Sequence, residues 1–204
     1  MTQDCYEIIV IGAGSGGLVI AIGAAKAGKK VLLIEKGTYG GDCTNFGCIP
    51  SKSLIASAEI AHAIKIAKDF GLEGSSPFTD TRKVFERVKR IVSSVRAHEE
   101  PISLKEKGVE TCTRIASFLD SRHIQIIEST GLSHEVYGKN IVIATGSSPL
   151  IPDISGLANT PYLTNETIFD LNDLPKRLCI LGGGPIGCEM AQAFSRLGSH
   201  VTQV

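Results

Sequence analysis

The chain has 204 residues, 43% hydrophobic and 21% charged, enough for one sizeable domain, or one domain and part of another. Its 21 basic and 21 acidic side chains cancel, so the bulk charge points neither to nucleic acid nor to a membrane surface. No solenoid-length repeat or low-complexity run is present.

Residues 6–11 are a short apolar run ending in a glycine cluster, the pattern of a buried strand. Leu18 to Ala27 predicts a small-residue helix stopped by Gly28, and Val31 to Ile34 predicts a second buried strand ending at Glu35. Together these form a βαβ unit, which implies a parallel sheet with a right-handed crossover. The apolar stretch Ile8 to Ala25 follows Asp4 and Glu7 rather than a basic segment, and it is rich in glycine. A signal peptide or membrane span is therefore not expected, and a cytoplasmic location is.

Gly37 to Pro50 reads as a loop with a short turn, and Pro50 fits the first position of a helix running to about Phe70 and Gly71. A helix from Thr79 or Asp80 places Val84, Phe85, Val88, Ile91, Val92 and Val95 on one face. Arg82, Lys83, Arg87, Lys89 and Arg90 occupy the rest, read as a solvated surface rather than an anion site. Val109 to Phe118, Ile124 to Ile127 and Asn140 to Ala144 read as strands, the first two joined around Asp120–Ser121, in keeping with a β-meander. A proline-rich connection (Pro149, Pro152, Pro161) marks a domain boundary, giving domains 1–148 and 149–204. Leu178 to Leu181 is a further strand, followed by a glycine turn, a helix to about Leu197 and a last strand from His200.

Two segments share one pattern. Gly12-x-Gly14-x-x-Gly17 and Gly182-x-Gly184-x-x-Gly187 each follow a strand and open a helix. The first glycine permits a tight turn, the second lets a pyrophosphate approach the backbone, and the third allows close helix–strand packing. The helix start then offers free N–H groups to the phosphates. Glu35, at the end of the second strand, suits ribose hydroxyls. Two dinucleotide sites suggest electron transfer between two dinucleotides, such as NAD(P)H and FAD. Two turns that merely pack helices are the plainer alternative. The offset from Gly17 to Glu35, applied to Gly187, falls just past Val204, so a second sheet would be half built and a fragment is expected.

Of six cysteines, Cys5, Cys112, Cys179 and Cys188 sit singly in apolar or strand-like settings, and buried packing is their expected role. Cys43 and Cys48 share one loop, Gly40-Gly41-Asp42-Cys43-Thr44-Asn45-Phe46-Gly47-Cys48-Ile49-Pro50-Ser51-Lys52. Such a loop closes into a disulfide if it coils enough. Cys48 lies just before a helix start, where the dipole favours a thiolate, and Lys52 adds positive charge one turn in. Zinc would call for a second nearby pair of ligands, and none is evident, so no metal site is expected.

On this loop, the two glycine patterns, Ala144-Thr145-Gly146 and Glu189, the chain resembles the class I pyridine nucleotide–disulfide oxidoreductases over almost its whole length. That family includes dihydrolipoamide dehydrogenase, glutathione reductase and mercuric reductase. The resemblance implies a Rossmann-like FAD-binding domain with a parallel sheet and β-meander, then the start of a second Rossmann-like domain for NAD or NADP. It makes Cys43 the interchange thiol, Cys48 the thiol stacked against the flavin, and Lys52 a neighbour of the flavin N5 paired with Glu189. Gly12, Gly14, Ser15, Gly16, Lys36, Gly41, Asp42, Ala144, Thr145 and Gly146 would line FAD, with Glu35 on its ribose and the Ala116 backbone near its adenine. Gly182, Gly184, Pro185, Ile186 and Glu189 would meet the nicotinamide nucleotide.

Asp42 where many members have Thr, Pro185 in place of an aromatic gate, and the segment Pro161 to Thr167 look most like mercuric-reductase-like members. The resemblance thus implies a homodimer turning over a small disulfide or metal ion. A dinucleotide-binding module without turnover, and a diaphorase that bypasses the cysteines, are the alternatives.

Overall fold

The computed structural model describes residues 4–73, 80–128 and 131–204. The chain begins β1 (Asp4–Ile11), α1 (Ser15–Lys26), β2 (Val31–Glu35), α2 (Gly41–Asn45), α3 (Cys48–Ile66), α4 (Thr81–Arg96) and α5 (Pro101–Glu106). There follow β3 (Glu110–Thr113), β4 (Ile115–Phe118), β5 (His123–Ile127), β6 (Ser133–Ile143), β7 (Arg177–Ile180), α6 (Pro185–Leu197) and β8 (His200–Gln203). These divide into two compact units, Met1–Asn45 with Ser94–Ile151, and Phe46–Ser93 with Pro152–Val204.

The first unit is a six-stranded sheet in the order β3-β2-β1-β6-β5-β4. The strands β3, β2, β1 and β6 run parallel, β5 pairs antiparallel with β6, and β4 pairs antiparallel with β5. The two end strands, β3 and β4, are separated in the chain by Arg114 alone, so the sheet is rolled until its ends nearly meet. The long β6 makes this possible, because Ser133–Tyr137 pair with β5 while Val136–Ile143 pair with β1.

Alternation explains why β1 and β2 read as continuous apolar runs. Ile9, Leu32 and Ile34 point into a core inside the roll with Ile124, Ile126 and Val136. Val10, Val31 and Leu33 point outward to a second core with Leu18, Ala21 and Leu104 of α1 and α5. Both faces are dry, as a covered parallel sheet requires.

The second unit packs α3, α4 and α6 with the two-stranded parallel sheet β7–β8. Its core joins Leu54 and Ala58 of α3, Phe85 and Val88 of α4, and Met190, Ala193 and Phe194 of α6. The Phe85 and Phe194 rings lie 6.4 Å apart between centroids in a tilted contact. No helix of the described residues is long and apolar enough to cross a membrane.

Several expectations need correction. The helix assigned to begin at Pro50 starts at Cys48, because Gly47 already serves as its N-cap. The stretch from Val109 is not one strand but β3 and β4, broken at Arg114 where the chain crosses from one end of the roll to the other. Thr79 lies outside the described residues, and the helix there runs from Thr81. Its basic face is not merely solvated: Arg87 donates to Ser53 O at 2.8 Å and Lys89 to Asn172 Oδ1 at 2.9 Å.

Cys5, Cys179 and Cys188 are exposed rather than buried. Cys5 lies in the open first residues of β1, Cys179 alternates with partly buried neighbours on β7, and Cys188 falls off the apolar stripe of α6.

Candidate active site

The first glycine turn is closed by backbone. Gly12 sits at φ +105°, and a Cβ there would collide with the carbonyl of Ala144. That approach is fixed by Ala144 N donating to Ile11 O at 2.7 Å, which lays Ala144-Thr145 beside the turn. A Cβ on Gly17 would strike the carbonyl of Gly12. The third glycine thus makes room for the first, a closer reason than helix–strand packing.

The cysteine turn sits on this same piece. Gly40 N donates to Ala13 O at 2.9 Å, and Gly14 and Gly40 form an isolated parallel bridge. At Gly41, with φ +60°, a Cβ would stand 2.5 Å from Gly14 Cα. The next residues coil into α2, with Asp42 exposed, Cys43 half-buried, and Thr44 and Asn45 buried.

Asn45 Nδ2 donates to Tyr39 O at 2.9 Å and Gly41 O at 2.8 Å, while its Oδ1 accepts from Arg96 Nε at 2.8 Å. Thr44 Oγ1 donates to Glu99 Oε1 at 3.2 Å. The sequence pattern gave no sign of Arg96 or Glu99, which lie far along the chain. Buried polar Asn45 inside the motif was the available signal, since such a group implies partners.

Whether a dinucleotide fits can be judged from three features. Gly14 caps α1 without a side-chain bond, no acid occupies the first turn, and Ser15 and Gly16 are exposed, so the helix start is open to an anion. Glu35 is held at the end of β2 by Ala13 N at 2.7 Å on Oε2 and Gly37 N at 2.9 Å on Oε1, leaving each oxygen further acceptor capacity for ribose. The Gly14–Gly41 contact keeps side chains out of the cradle. The residues fit the group. Lys36 is exposed just past β2, and Ala116 lies in β4 paired with Ile126.

In the second unit Cys48 is the first residue of α3, exposed, above a Gly47 cap with no side-chain bond and no acid in the first turn. Ser51 Oγ donates to Cys48 O at 3.3 Å. One turn on, Lys52 Nζ donates to both oxygens of Glu189, at 2.7 and 2.6 Å. This pair, 137 residues apart in sequence, lines a cavity of about 380 Å³ with Ile55, Glu59, Gln192 and Arg196.

The second glycine turn repeats the first. Gly182 again has φ +105°, and a Cβ on Gly187 would strike its carbonyl. Gly182, Gly184, Pro185 and Ile186 are exposed at the start of α6, which also lacks an acid in its first turn.

All six cysteines lie outside any disulfide. Burial pushes the Cys112 thiol up, keeping it protonated near neutrality. Among the described residues no three His, Cys, Asp or Glu side chains cluster as metal ligands.

Residues 6–204 match the family described as pyridine nucleotide-disulphide oxidoreductase. The chain is 38% identical to a mercuric reductase of Streptomyces lividans, covering 97% of this chain and 42% of that protein. It is 36% identical to a dihydrolipoyl dehydrogenase of Chlamydia muridarum, covering 99% of this chain and 43% of the relative. Among solved structures it resembles a mutant of the HOCl-induced flavoprotein disulfide reductase RclA from Escherichia coli, in a Cu(II) complex. There the TM-score is 0.83 at 30% identity, over 98% of this chain and 42% of that one. The chain thus spans about two fifths of the length of these relatives.

Proposed function

The chain belongs to the pyridine nucleotide-disulphide oxidoreductase family, and from that premise we propose an electron path from NAD(P)H through FAD to a Cys43–Cys48 disulfide and on to a small acceptor. The observation that carries this reading is the seat of Gly40–Gly41 on Gly14, which makes the cysteine turn and the dinucleotide turn one structural piece. When bound, FAD supplies two-electron exchange between a nicotinamide and a disulfide.

The chain's own residues take the remaining roles. The N–H groups at the start of α1 hold the pyrophosphate, Glu35 accepts from ribose hydroxyls, and Ala144-Thr145-Gly146, Lys36, Asp42 and the Ala116 backbone complete the lining. Gly182, Gly184, Pro185 and Ile186 receive the nicotinamide nucleotide at the start of α6. In this reading residues 1–148 form the FAD-binding domain and 149–204 begin the NAD(P)-binding one. Glu189 neutralises and orients Lys52, so that the ammonium is aimed rather than mobile. The start of α3 presents its free N–H groups beside Cys48.

With a disulfide acceptor, the Cys43 thiolate attacks one sulfur and expels the other half as a thiolate. Cys48 then attacks Cys43, re-forming the internal disulfide and releasing the second half. A soft metal ion would instead be taken by the thiolate pair. The mercuric reductases among the relatives favour the metal ion. The dihydrolipoyl dehydrogenase relative supports a dithiol substrate as the second reading. The parent is expected to work as a homodimer.

The test uses the full-length protein with NADPH or NADH. Reduction of the wild type should develop long-wavelength absorbance from a thiolate beside the flavin, and Cys48→Ser should lose both the band and turnover of Hg(II) or a disulfide. A colourless protein, or undiminished turnover in Cys48→Ser, would overturn the proposal. Comparing Hg(II), Cu(II) and lipoamide as acceptors decides between the two readings.

A further inference from the structure

We propose that Arg96 and Glu99 are positioning residues for Cys43, holding the turn that carries it in a shape ready for disulfide closure. The inference rests on the reading of Cys43 and Cys48 as a redox pair. A helix as short as α2 has almost no stability of its own, so its shape is set by whatever grips it. On the upstream side the grip is Gly40–Gly41 against Gly14.

Downstream the grip is supplied by two side chains. Arg96 Nε donates to Asn45 Oδ1 at 2.8 Å, and both Asn45 Nδ2 bonds return to the backbone of the same turn, at Tyr39 and Gly41. Asn45 is buried, so removing Arg96 strands an acceptor away from water.

Glu99 touches both flanks of Cys43. Its Oε1 accepts from Thr44, and its Oε2 lies 2.4 Å from where a Cβ on Gly40 would stand. Among the described residues that buried Oε2 has no hydrogen-bond partner. Burying a carboxylate oxygen without a donor is unfavourable, and its retention here fits a group kept for placement rather than stability.

A held turn raises the effective concentration of one thiol for the other and so favours the disulfide. Loosening it makes the disulfide easier to reduce. The experiment equilibrates the full-length holoenzyme with glutathione. The Cys43–Cys48 bond breaks, two glutathione thiols join as glutathione disulfide, and their two protons pass to the enzyme dithiol. Alkylation and mass measurement count the two forms.

Arg96→Met should shift this equilibrium about tenfold toward the dithiol, or ~30 mV for a two-electron couple. Arg96→Lys, which keeps a donor, should restore most of it. Thr44→Val, which removes only the hydroxyl reaching Glu99, should move the same way by less, and decides alone if Arg96→Met does not fold. Wild-type equilibrium in both Arg96→Met and Thr44→Val would overturn the inference. A wild type in which Cys43 and Cys48 never pair would overturn the redox reading, and this inference with it.

Discussion

Gly14 and Gly41 meet backbone to backbone: a Cβ on Gly41 would stand 2.5 Å from the Cα of Gly14. One glycine comes from the dinucleotide turn and the other from the cysteine motif, so neither pattern is complete without the other.

Gly41→Ala should therefore cost about 2 kcal/mol or more, combining a left-handed backbone with an overlap that neither side can yield. Gly23→Ala, in the interior of α1 with open space around it, should instead stabilise by roughly 0.5–1 kcal/mol. Urea unfolding of both variants provides the comparison, and equal effects would remove the packing argument.

The Lys52–Glu189 pair is solvent-accessible, with 60% and 40% of the side chains exposed. Exposed pairs contribute on the order of 0–1 kcal/mol, so Glu189→Gln should barely move the melting temperature. In the full-length protein the same change should slow flavin reduction by NAD(P)H, read by stopped flow. A large loss of stability with unchanged reduction would mark the pair as structural.

Phe194 is fully buried against Phe85 in the core of the second unit. Phe194→Ala should destabilise by about 3–5 kcal/mol, measured by denaturant unfolding. A loss below about 1 kcal/mol would mean the core collapses onto the space, contrary to close packing.

Acid should destabilise the fold in a defined window. Backbone N–H bonds from Arg122, then the His123 ring, hold Asp120 below the usual carboxylate range. Arg114 does the same for Glu128, and the Thr81 hydroxyl for Asp173. Carboxylates depressed on folding stabilise fully above their unfolded range, and that contribution drains away as pH falls through the folded values. Melting temperatures should hold steady from neutral pH down to about 5 and then decline. Asp120→Asn should decline less steeply, since it no longer titrates; an unchanged slope would exclude Asp120 from the effect.

How much of this was readable beforehand follows the range of the interactions. The runs in β1 and β2, the glycine turns and the face of α4 carrying Phe85 and Val88 are local patterns, and they translated directly. The family match bears out the resemblance drawn from the cysteine motif. Arg96 and Glu99 were invisible because their meaning comes from Asn45 and Thr44, half a hundred residues upstream and brought near only by the fold. The exposed thiols failed for a related reason: a cysteine among apolar neighbours looks buried until one knows which face of the strand is covered. Cys179 shows this on β7.

The rolled sheet has a consequence for synthesis. β1 is hydrogen-bonded between β2 and β6, and its pairing with β6 joins Ile8–Ile11 to Asn140–Ile143. On the ribosome, the first strand made must wait for the last strand of its unit before that edge is satisfied. During the delay an apolar edge stands open to other nascent chains, and chaperone dependence during translation is the expected result.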